Sequence, residues 1–327
     1  MSRTLRRAAL LAFALPLTGC DSPMTSPLGQ SPSFASVATG FSAWSSAVII
    51  QQSSPGADAT FNTASLDGCP FTSRDGKTFY MASNRPGGVG KIDIWVSTRP
   101  SVNDPWGPPV NVGEPVNSSE DDFCPTIDRD GHQFFFVSRR AVQESCLGGA
   151  DIYVTRFRAE GGFEQPRNLG CDVNSPSDEA SPFPLPQGTS GPVLYFSSTR
   201  PRTGATGGDL YMSESHGGVF GPAQLVPGVN SDADDGQPNV RRDGLEIFFY
   251  STRAVTGAQG GPDLYSAARG STSDAWSTPV NLGPNVNSAV ADTRPSLSWD
   301  GTTLYFGSTR AGSSDIYVTT RDRLVGD

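Results

Sequence analysis

The chain has 327 residues, of which 36% are hydrophobic and 17% charged, and it contains 37 glycines and 27 prolines. This is a turn-rich globular composition, long enough to bury a large core, and helical periodicity is scarce along it. The formal net charge of −9 argues against binding to nucleic acids or anionic membranes through bulk charge.

The first twenty residues have the features of an export signal. Arg3, Arg6 and Arg7 precede the short apolar run AALLAFALPL, and the sequence LTGC then ends at Cys20. The run is too short to span a bilayer as a mature helix. The ending resembles a bacterial lipobox and predicts a signal peptide at residues 1–19 with lipidation of Cys20. The alternative is an ordinary signal peptide with a chance cysteine.

The segment after the cysteine reads as a tether. Residues 20–40 are rich in serine, proline, threonine and glycine, which predicts a flexible link to a folded domain at residues 41–327. We therefore expect a protein anchored by lipid on the periplasmic side of a bacterial cell envelope, with the choice of inner or outer membrane left open. Removing residues 1–19 leaves 21 basic and 33 acidic residues, a net charge of −12.

Five copies of one unit occupy most of the remaining chain. In the copy from Arg294 to Arg321, an Asp-Gly turn precedes the alternating apolar run TLYFGS, which ends in Ser-x-Arg. A Gly/Ser loop then leads to an aspartate that opens a second alternating run. Alternation of this kind between turn residues predicts half-buried β-strands.

Each unit carries three charged positions, and its arginine recurs every 53 to 60 residues. An acid three residues before a proline stands ahead of each unit, at Asp67, Asp122, Glu179, Asp235 and Asp292. The Ser-x-Arg arginines are Arg85, Arg140, Arg200, Arg253 and Arg310. The aspartates that open the next strand are Asp93, Asp151, Asp209, Asp263 and Asp315.

A fourth element begins with an aromatic residue, and its distribution indicates how the repeats close. It follows the first four units, from Trp106, Phe163, Phe220 and Trp276, but the fifth unit ends before it. The missing piece is near the N-terminus, from Trp44. The sequence therefore predicts an all-β chain with a single five-bladed β-propeller of four-stranded antiparallel blades, closed by an N-terminal strand that joins the last C-terminal blade. Six blades are the alternative.

These motifs resemble the TolB-type, WD40-like propeller repeat, and the resemblance covers residues 41–321. It implies the propeller fold. It also implies partners among envelope proteins, peptides or glycans, although one fold of this kind supports many activities.

Four cysteines besides Cys20 fit an exported protein. Cys69 and Cys124 occupy the same repeat position in neighbouring blades, and Cys146 and Cys171 lie in two connections on one face of the second blade. We expect disulfides Cys69–Cys124 and Cys146–Cys171 in an oxidising compartment. Other pairings and free buried thiols are the alternatives.

The fifteen charged repeat positions all fall at one face of the predicted ring. They predict a structural acid–arginine–aspartate network, because a ligand site needs one set of groups whereas every blade needs its own. Function is expected where the repeat varies. The residue before the repeated proline is Cys69, Cys124, Ser181, Gln237 or Arg294. Ser181, Gln237 and Arg294 would place polar groups near the mouth of the channel, unless they are ordinary solvated loop ends.

Evidence for catalysis or cofactors is weak. The acidic loops at 118–122 and 231–236 could hold calcium but lack the EF-hand order, so no cofactor is expected. His132 and His216 lie in predicted exposed turns. The favoured function is a monomeric binding or scaffold module for an envelope protein, peptide or glycan. The alternative is a carboxylate-based glycan hydrolase or lyase, which needs acids outside the repeat, such as Asp121 and Asp234.

Overall fold

The computed structural model describes residues 40–141, 146–187 and 191–324. The predicted signal peptide, the lipidated Cys20 and all of the tether except Gly40 lie outside these residues. The described residues form five blades of four antiparallel strands in a ring, a five-bladed β-propeller, together with one short 3₁₀ turn at Ile50–Gln52. None of them forms a helix long and apolar enough to cross a membrane.

The strands follow the repeat. The first strand of the chain, β1 (Val48–Ile49), belongs to the last blade. Blade 1 contains β2 (Asp67–Thr72), β3 (Thr78–Ser83), β4 (Asp93–Thr98) and β5 (Val110–Asn111). Blade 2 contains β6 (Asp122–Ile127), β7 (Gln133–Ser138), β8 (Asp151–Arg156) and β9 (Arg167–Asn168).

Blade 3 has one additional short strand. It contains β10 (Glu179–Pro186), β11 (Pro192–Ser198), β12 (Asp209–His216) and β14 (Gln224–Leu225), while β13 (Val219–Phe220) pairs with the end of β12. Blade 4 contains β15 (Asp235–Val240), β16 (Glu246–Ser251), β17 (Asp263–Ala268) and β18 (Val280–Asn281). Blade 5 contains β19 (Asp292–Leu297), β20 (Thr303–Ser308), β21 (Asp315–Thr320) and β1.

The predicted seam between the two ends of the chain is confirmed. Strand β1 pairs antiparallel with β21, with Val48 opposite Val318 and Ile49 opposite Tyr317. An isolated bridge between Phe41 and Arg323 extends this contact. Since every strand in the described part of the chain belongs to one of the five blades, the alternative of six blades is wrong.

The central strands are more deeply buried than their alternation predicts. In β20, Leu304 and Phe306 are fully buried, and Tyr305, which points to the opposite face, is also buried. The expectation of half-buried strands is therefore wrong for the central strands of the blades, which are buried on both faces. Blades of a propeller pack face to face, so both faces of each sheet are covered, and polar residues remain mainly at strand ends and outer strands.

Both predicted disulfides are present. Cys69 and Cys124, whose Cα atoms are 4.7 Å apart, join the first strands of blades 1 and 2. Cys146 and Cys171 join two connections of blade 2, with their Cα atoms 5.8 Å apart.

Candidate binding sites on the propeller axis

The acids and arginines of the repeat form one ion pair in each blade. In blade 4, Arg253 Nη2 lies 2.6 Å from Asp235 and 2.7 Å from the carbonyl oxygen of Val229, and Arg253 Nε donates to Ser251. The acid is fully buried and also accepts from the backbone and hydroxyl of Ser231. The other four blades repeat this arrangement with Asp67–Arg85, Asp122–Arg140, Glu179–Arg200 and Asp292–Arg310.

The structure divides the predicted acid–arginine–aspartate network into two parts. The aspartates that open the third strands bind other groups: Asp93, Asp151 and Asp263 accept from the side chains of Asn111, Asn168 and Asn281, Asp209 pairs with Arg202, and Asp315 accepts from Ser313. Burial raises the pKa of Asp151 to about 6. These contacts pin the third strand to the fourth strand and to its own loop.

One buried ion pair breaks the repeat and was missed from the sequence. Glu246 begins β16, where the corresponding residues of the other blades are uncharged, and it accepts from Arg321 at 3.0 and 2.7 Å. Both side chains are buried, and the guanidinium of Arg321 lies 3.9 Å from the ring centroid of Phe41. The sequence did contain a sign of it, because Glu246 is the only charged residue at this position among the five repeats.

The residues before the repeated prolines form a ring around the central channel. Each first strand has a bulge there, and the bulge residue has a left-handed backbone with φ between 48° and 58°: Cys69, Cys124, Ser181, Gln237 and Arg294. We call these five residues the channel ring. A narrow cavity of about 30 Å³ at this level is lined by the first disulfide, Ser181, Arg294 and the five prolines. Of the three predicted binding residues, Ser181 and Arg294 therefore line the channel, whereas Gln237 lines a separate cavity of about 170 Å³ with Asp234 and Tyr250.

Arg294 is held by its neighbours on two sides. Its backbone N–H donates to Gln237 Oε1 at 2.9 Å. Its side chain passes over Gly307 and ends beside Gly68. A larger residue at either glycine would occupy part of the space that the arginine side chain fills. Its Nε atom is buried and has no hydrogen-bond partner among the described residues. Burial lowers the pKa of the guanidinium.

A much wider cavity opens at the opposite end of the channel. It has a volume of about 550 Å³ and lies where the first strands end and turn into the second strands, with lining residues from all five blades. We call it the turn-face bowl. Its apolar lining includes Phe71, Ile127, Phe183, Leu185, Leu297 and Trp299.

Arginines surround this apolar surface. Arg74 and Arg242 lie 5.1 and 5.8 Å from the ring centroid of Trp299, within the range of a cation–π contact. Among the described residues, neither these two arginines nor Arg129, which also lines the bowl, has a carboxylate partner. The lining contains four arginines and three aspartates, a balance of +1 in a chain of net charge −9.

Two of the three aspartates that line the bowl, Asp75 and Asp128, accept hydrogen bonds from residues of their own turns. Asp75 accepts from Ser73 Oγ and the backbone of Lys77, and these hydrogen bonds lower its pKa. Asp128 accepts from the backbones of His132 and Gln133. The carboxyl groups with raised pKa values, Asp151, Glu179, Asp263 and Asp315, belong to the repeat contacts at the opposite face.

The two acids selected from the sequence as possible catalysts also have partners. Asp121 lies 3.7 Å from Arg139, which forms a bidentate pair with Asp178. Asp234 accepts from the hydroxyl of Tyr250 at 2.9 Å and from the backbone of Gly208. A separate cavity of about 170 Å³ is lined by Asp178 and Asp234, outside the turn-face bowl.

Solved structures resemble this protein in fold, whereas comparisons with protein-family models and with curated proteins found no match. A glycoside hydrolase superposes with a TM-score of 0.57 at 12% identity, covering 85% of this chain and 93% of its own. An endo-arabinase from Bacteroides thetaiotaomicron gives 0.54 at 14% identity, with coverage of 84% and 97%.

A putative TolB from Agrobacterium tumefaciens is also similar in structure, with a TM-score of 0.48 at 16% identity, covering 87% of this chain and 89% of its own. At these identities the likenesses to the hydrolases show the fold alone, and the last one is too loose to support an argument. Function has to be argued from the site.

Proposed function

We propose that this protein is a binding module that holds an apolar, acidic segment of a partner protein in the turn-face bowl. The observation that carries the proposal is the bowl itself, a concavity of about 550 Å³ to which all five blades contribute. Ligand sites are typically concave, mostly apolar, and equipped with a few polar groups that orient the ligand. Displacement of water from an apolar surface of this kind by an apolar ligand favours binding.

The charges around the bowl support an acidic ligand. Arg74, Arg129 and Arg242 come from three different blades and have no carboxylate partner among the described residues. Guanidinium groups form bidentate hydrogen bonds with carboxylates. All three side chains are exposed, and those of Arg74 and Arg242 also contact the indole ring of Trp299. A partner segment with one or two acidic residues next to apolar ones would satisfy both features.

The alternative, a carboxylate-based glycan hydrolase or lyase, shares the fold of the glycosidases that resemble this chain. Such an enzyme needs a general acid whose pKa is raised, close to a second carboxylate. Hydrogen bonds from its own turn lower the pKa of Asp75 in the bowl. Asp151, whose pKa is raised to about 6, is instead held at the opposite face. The bowl is therefore better suited to binding than to hydrolysis.

Trp299 provides a direct assay of this proposal. Trp44, Trp95, Trp106 and Trp276 are all buried, with exposed fractions of 1–8%, whereas Trp299 is half-buried in the bowl. Envelope proteins captured by residues 40–327 would be identified by mass spectrometry. Acidic, apolar peptides from them would then be titrated while tryptophan fluorescence is recorded. We expect saturable changes that disappear in Trp299→Phe.

The arginines provide the matched variants. Arg74→Gln/Arg242→Gln should weaken peptide binding about tenfold or more, because charged hydrogen bonds contribute about 1.5–3 kcal/mol each. Arg158→Gln, an exposed arginine outside the bowl, should leave the affinity unchanged. Equal affinities for the two variants would contradict the proposal. Release of reducing ends from envelope polysaccharides would instead favour the hydrolase.

We further propose that the propeller is exported and anchored through a lipid on Cys20, on the periplasmic side of the envelope. The motif LTGC after a short apolar run supports this. In cells fed radiolabelled palmitate, the wild-type protein should carry label and partition into detergent, whereas Cys20→Ser should do neither. Labelling of the variant would contradict the anchor.

A further inference from the structure

The channel ring contains hydrogen-bond donors that the protein does not use. In blades 1 and 2 the ring positions are closed by the Cys69–Cys124 disulfide, whereas blades 3, 4 and 5 contribute Ser181, Gln237 and Arg294. Gln237 uses its Oε1 to accept the backbone N–H of Arg294, which leaves its Nε2 group as a donor. Among the described residues, neither this amide nitrogen nor the hydroxyl of Ser181 has a hydrogen-bond partner.

Arg294 differs from the other arginines that the fold buries. The five repeat arginines and Arg321 each pair with a buried acid, but Arg294 has no ion-pair partner in the part of the chain that the structure describes. Among the described residues, the guanidinium makes one long hydrogen bond, of 3.5 Å from Nη1 to the hydroxyl of Thr293, and its Nε has no partner. A buried charge without compensation costs several kcal/mol.

Asp234, which lines a cavity together with Gln237, is already bound. Asp234 accepts from Tyr250, and burial raises the pKa of that phenol, so the tyrosine remains a neutral donor. Among the described residues, the polar side chains that the ring presents to the narrow cavity are therefore the hydroxyl of Ser181 and the positively charged Arg294. Such a set recognises an anion.

We propose that the channel ring binds a small monovalent anion, a halide or a single carboxylate group, on the guanidinium of Arg294, with the hydroxyl of Ser181, which lines the same narrow cavity, as a further donor. The size of the cavity limits the ligand. About 30 Å³ between the five prolines accommodates one large atom or the end of one carboxylate. This site is separate from the turn-face bowl, and its existence does not depend on the proposed function.

Chloride-35 NMR tests the site, because exchange between bulk and protein-bound chloride broadens the chloride line. The wild-type protein should broaden the line, and Arg294→Gln should remove more than half of the excess width. Arg158→Gln, which alters an exposed arginine outside both cavities, should change it little. If Arg294→Gln broadens the line as much as wild type, the proposal is wrong. Bromide should compete with chloride, and competition by acetate would identify carboxylates as ligands as well.

A second variant keeps the test informative if Arg294→Gln does not fold. Gln237→Glu retains the acceptor for the backbone N–H of Arg294 and adds a negative charge at that contact, which should offset the positive charge of Arg294 in place of a bound anion. This variant should lose the chloride broadening and unfold at a higher temperature than wild type in chloride-free buffer. Chloride broadening equal to that of wild type would overturn the proposal.

Discussion

Each repeat arginine satisfies three different groups at once. Arg253 donates to a buried carboxylate, to a backbone carbonyl in the preceding connection and to a serine hydroxyl in its own strand end. The acid–arginine pair therefore ties the first strand of a blade to its second strand and to the segment that enters the blade. A side chain with this many buried partners is costly to remove, because each partner would lose its hydrogen bond.

We predict that Arg253→Ala lowers the stability of the propeller by about 3 kcal/mol or more, since it leaves the carboxylate of Asp235 buried and unpaired. For a domain of this size, that corresponds to a fall in the thermal midpoint of at least about 6 °C. Lys77→Ala, in an exposed turn, should leave the midpoint unchanged. Thermal unfolding followed by circular dichroism measures both, and equal midpoints would rule out the structural role.

At the scale of the strand, the blades differ in how they fill the space beside the channel ring. In blade 4, Tyr250 of β16 lies against Gly236 of β15, and a Cβ atom at Gly236 would be 2.5 Å from the tyrosine ring. In blade 5 the corresponding residue of the second strand is Gly307, and the side chain of Arg294 crosses it. In these two blades a glycine therefore makes room for a large side chain, Tyr250 in blade 4 and Arg294 in blade 5.

Gly236→Ala should therefore destabilise the propeller by about 1–3 kcal/mol, because Tyr250 has to move and the core is already closely packed. Gly68 occupies the same repeat position in blade 1, where the nearest atom to an added Cβ is 3.5 Å away, so Gly68→Ala should be nearly neutral. Denaturant unfolding compares the two variants. If Tyr250→Ala does not rescue Gly236→Ala, the clash is not the cause.

For the molecule as a whole, closure of the ring depends on segments from both ends of the chain. Strand β1 completes blade 5, and Arg321, just after β21, reaches Glu246 of blade 4 beneath the ring of Phe41. One guanidinium therefore contacts the N-terminal segment, the C-terminal segment and the neighbouring blade. The pair is buried, so it should respond to mutation differently from a surface pair.

We expect Glu246→Gln to lower stability by about 3–5 kcal/mol, because it removes the charge that compensates the buried Arg321. Glu120→Gln breaks the exposed pair with Lys91 and should cost at most about 1 kcal/mol. Both values come from denaturant unfolding at neutral pH. A loss for Glu246→Gln as small as that for Glu120→Gln would show that the seam does not depend on this pair.

The sequence alone predicted five blades, the seam and both disulfides, with six blades and other cysteine pairings as the alternatives. The blades and the seam follow from a pattern of turns, alternating strands and charges that occurs five times, so each copy supported the assignment of the others. It also indicated the channel ring, because Ser181, Gln237 and Arg294 depart from the repeat at one position. The left-handed backbone conformation of these bulges and the cavities that their side chains line could not be predicted from the sequence.

Only the tertiary structure decided which end of the channel is wide and which side chains meet there. Trp299 of the turn-face bowl comes 225 positions after Arg74 in the sequence, although the two side chains are in contact. Each of them looks like an ordinary turn residue in its own repeat. Their convergence depends on the curvature of the whole ring, a property of packing between blades that no local pattern encodes. The same reason explains why the pairing of Glu246 with Arg321 was missed.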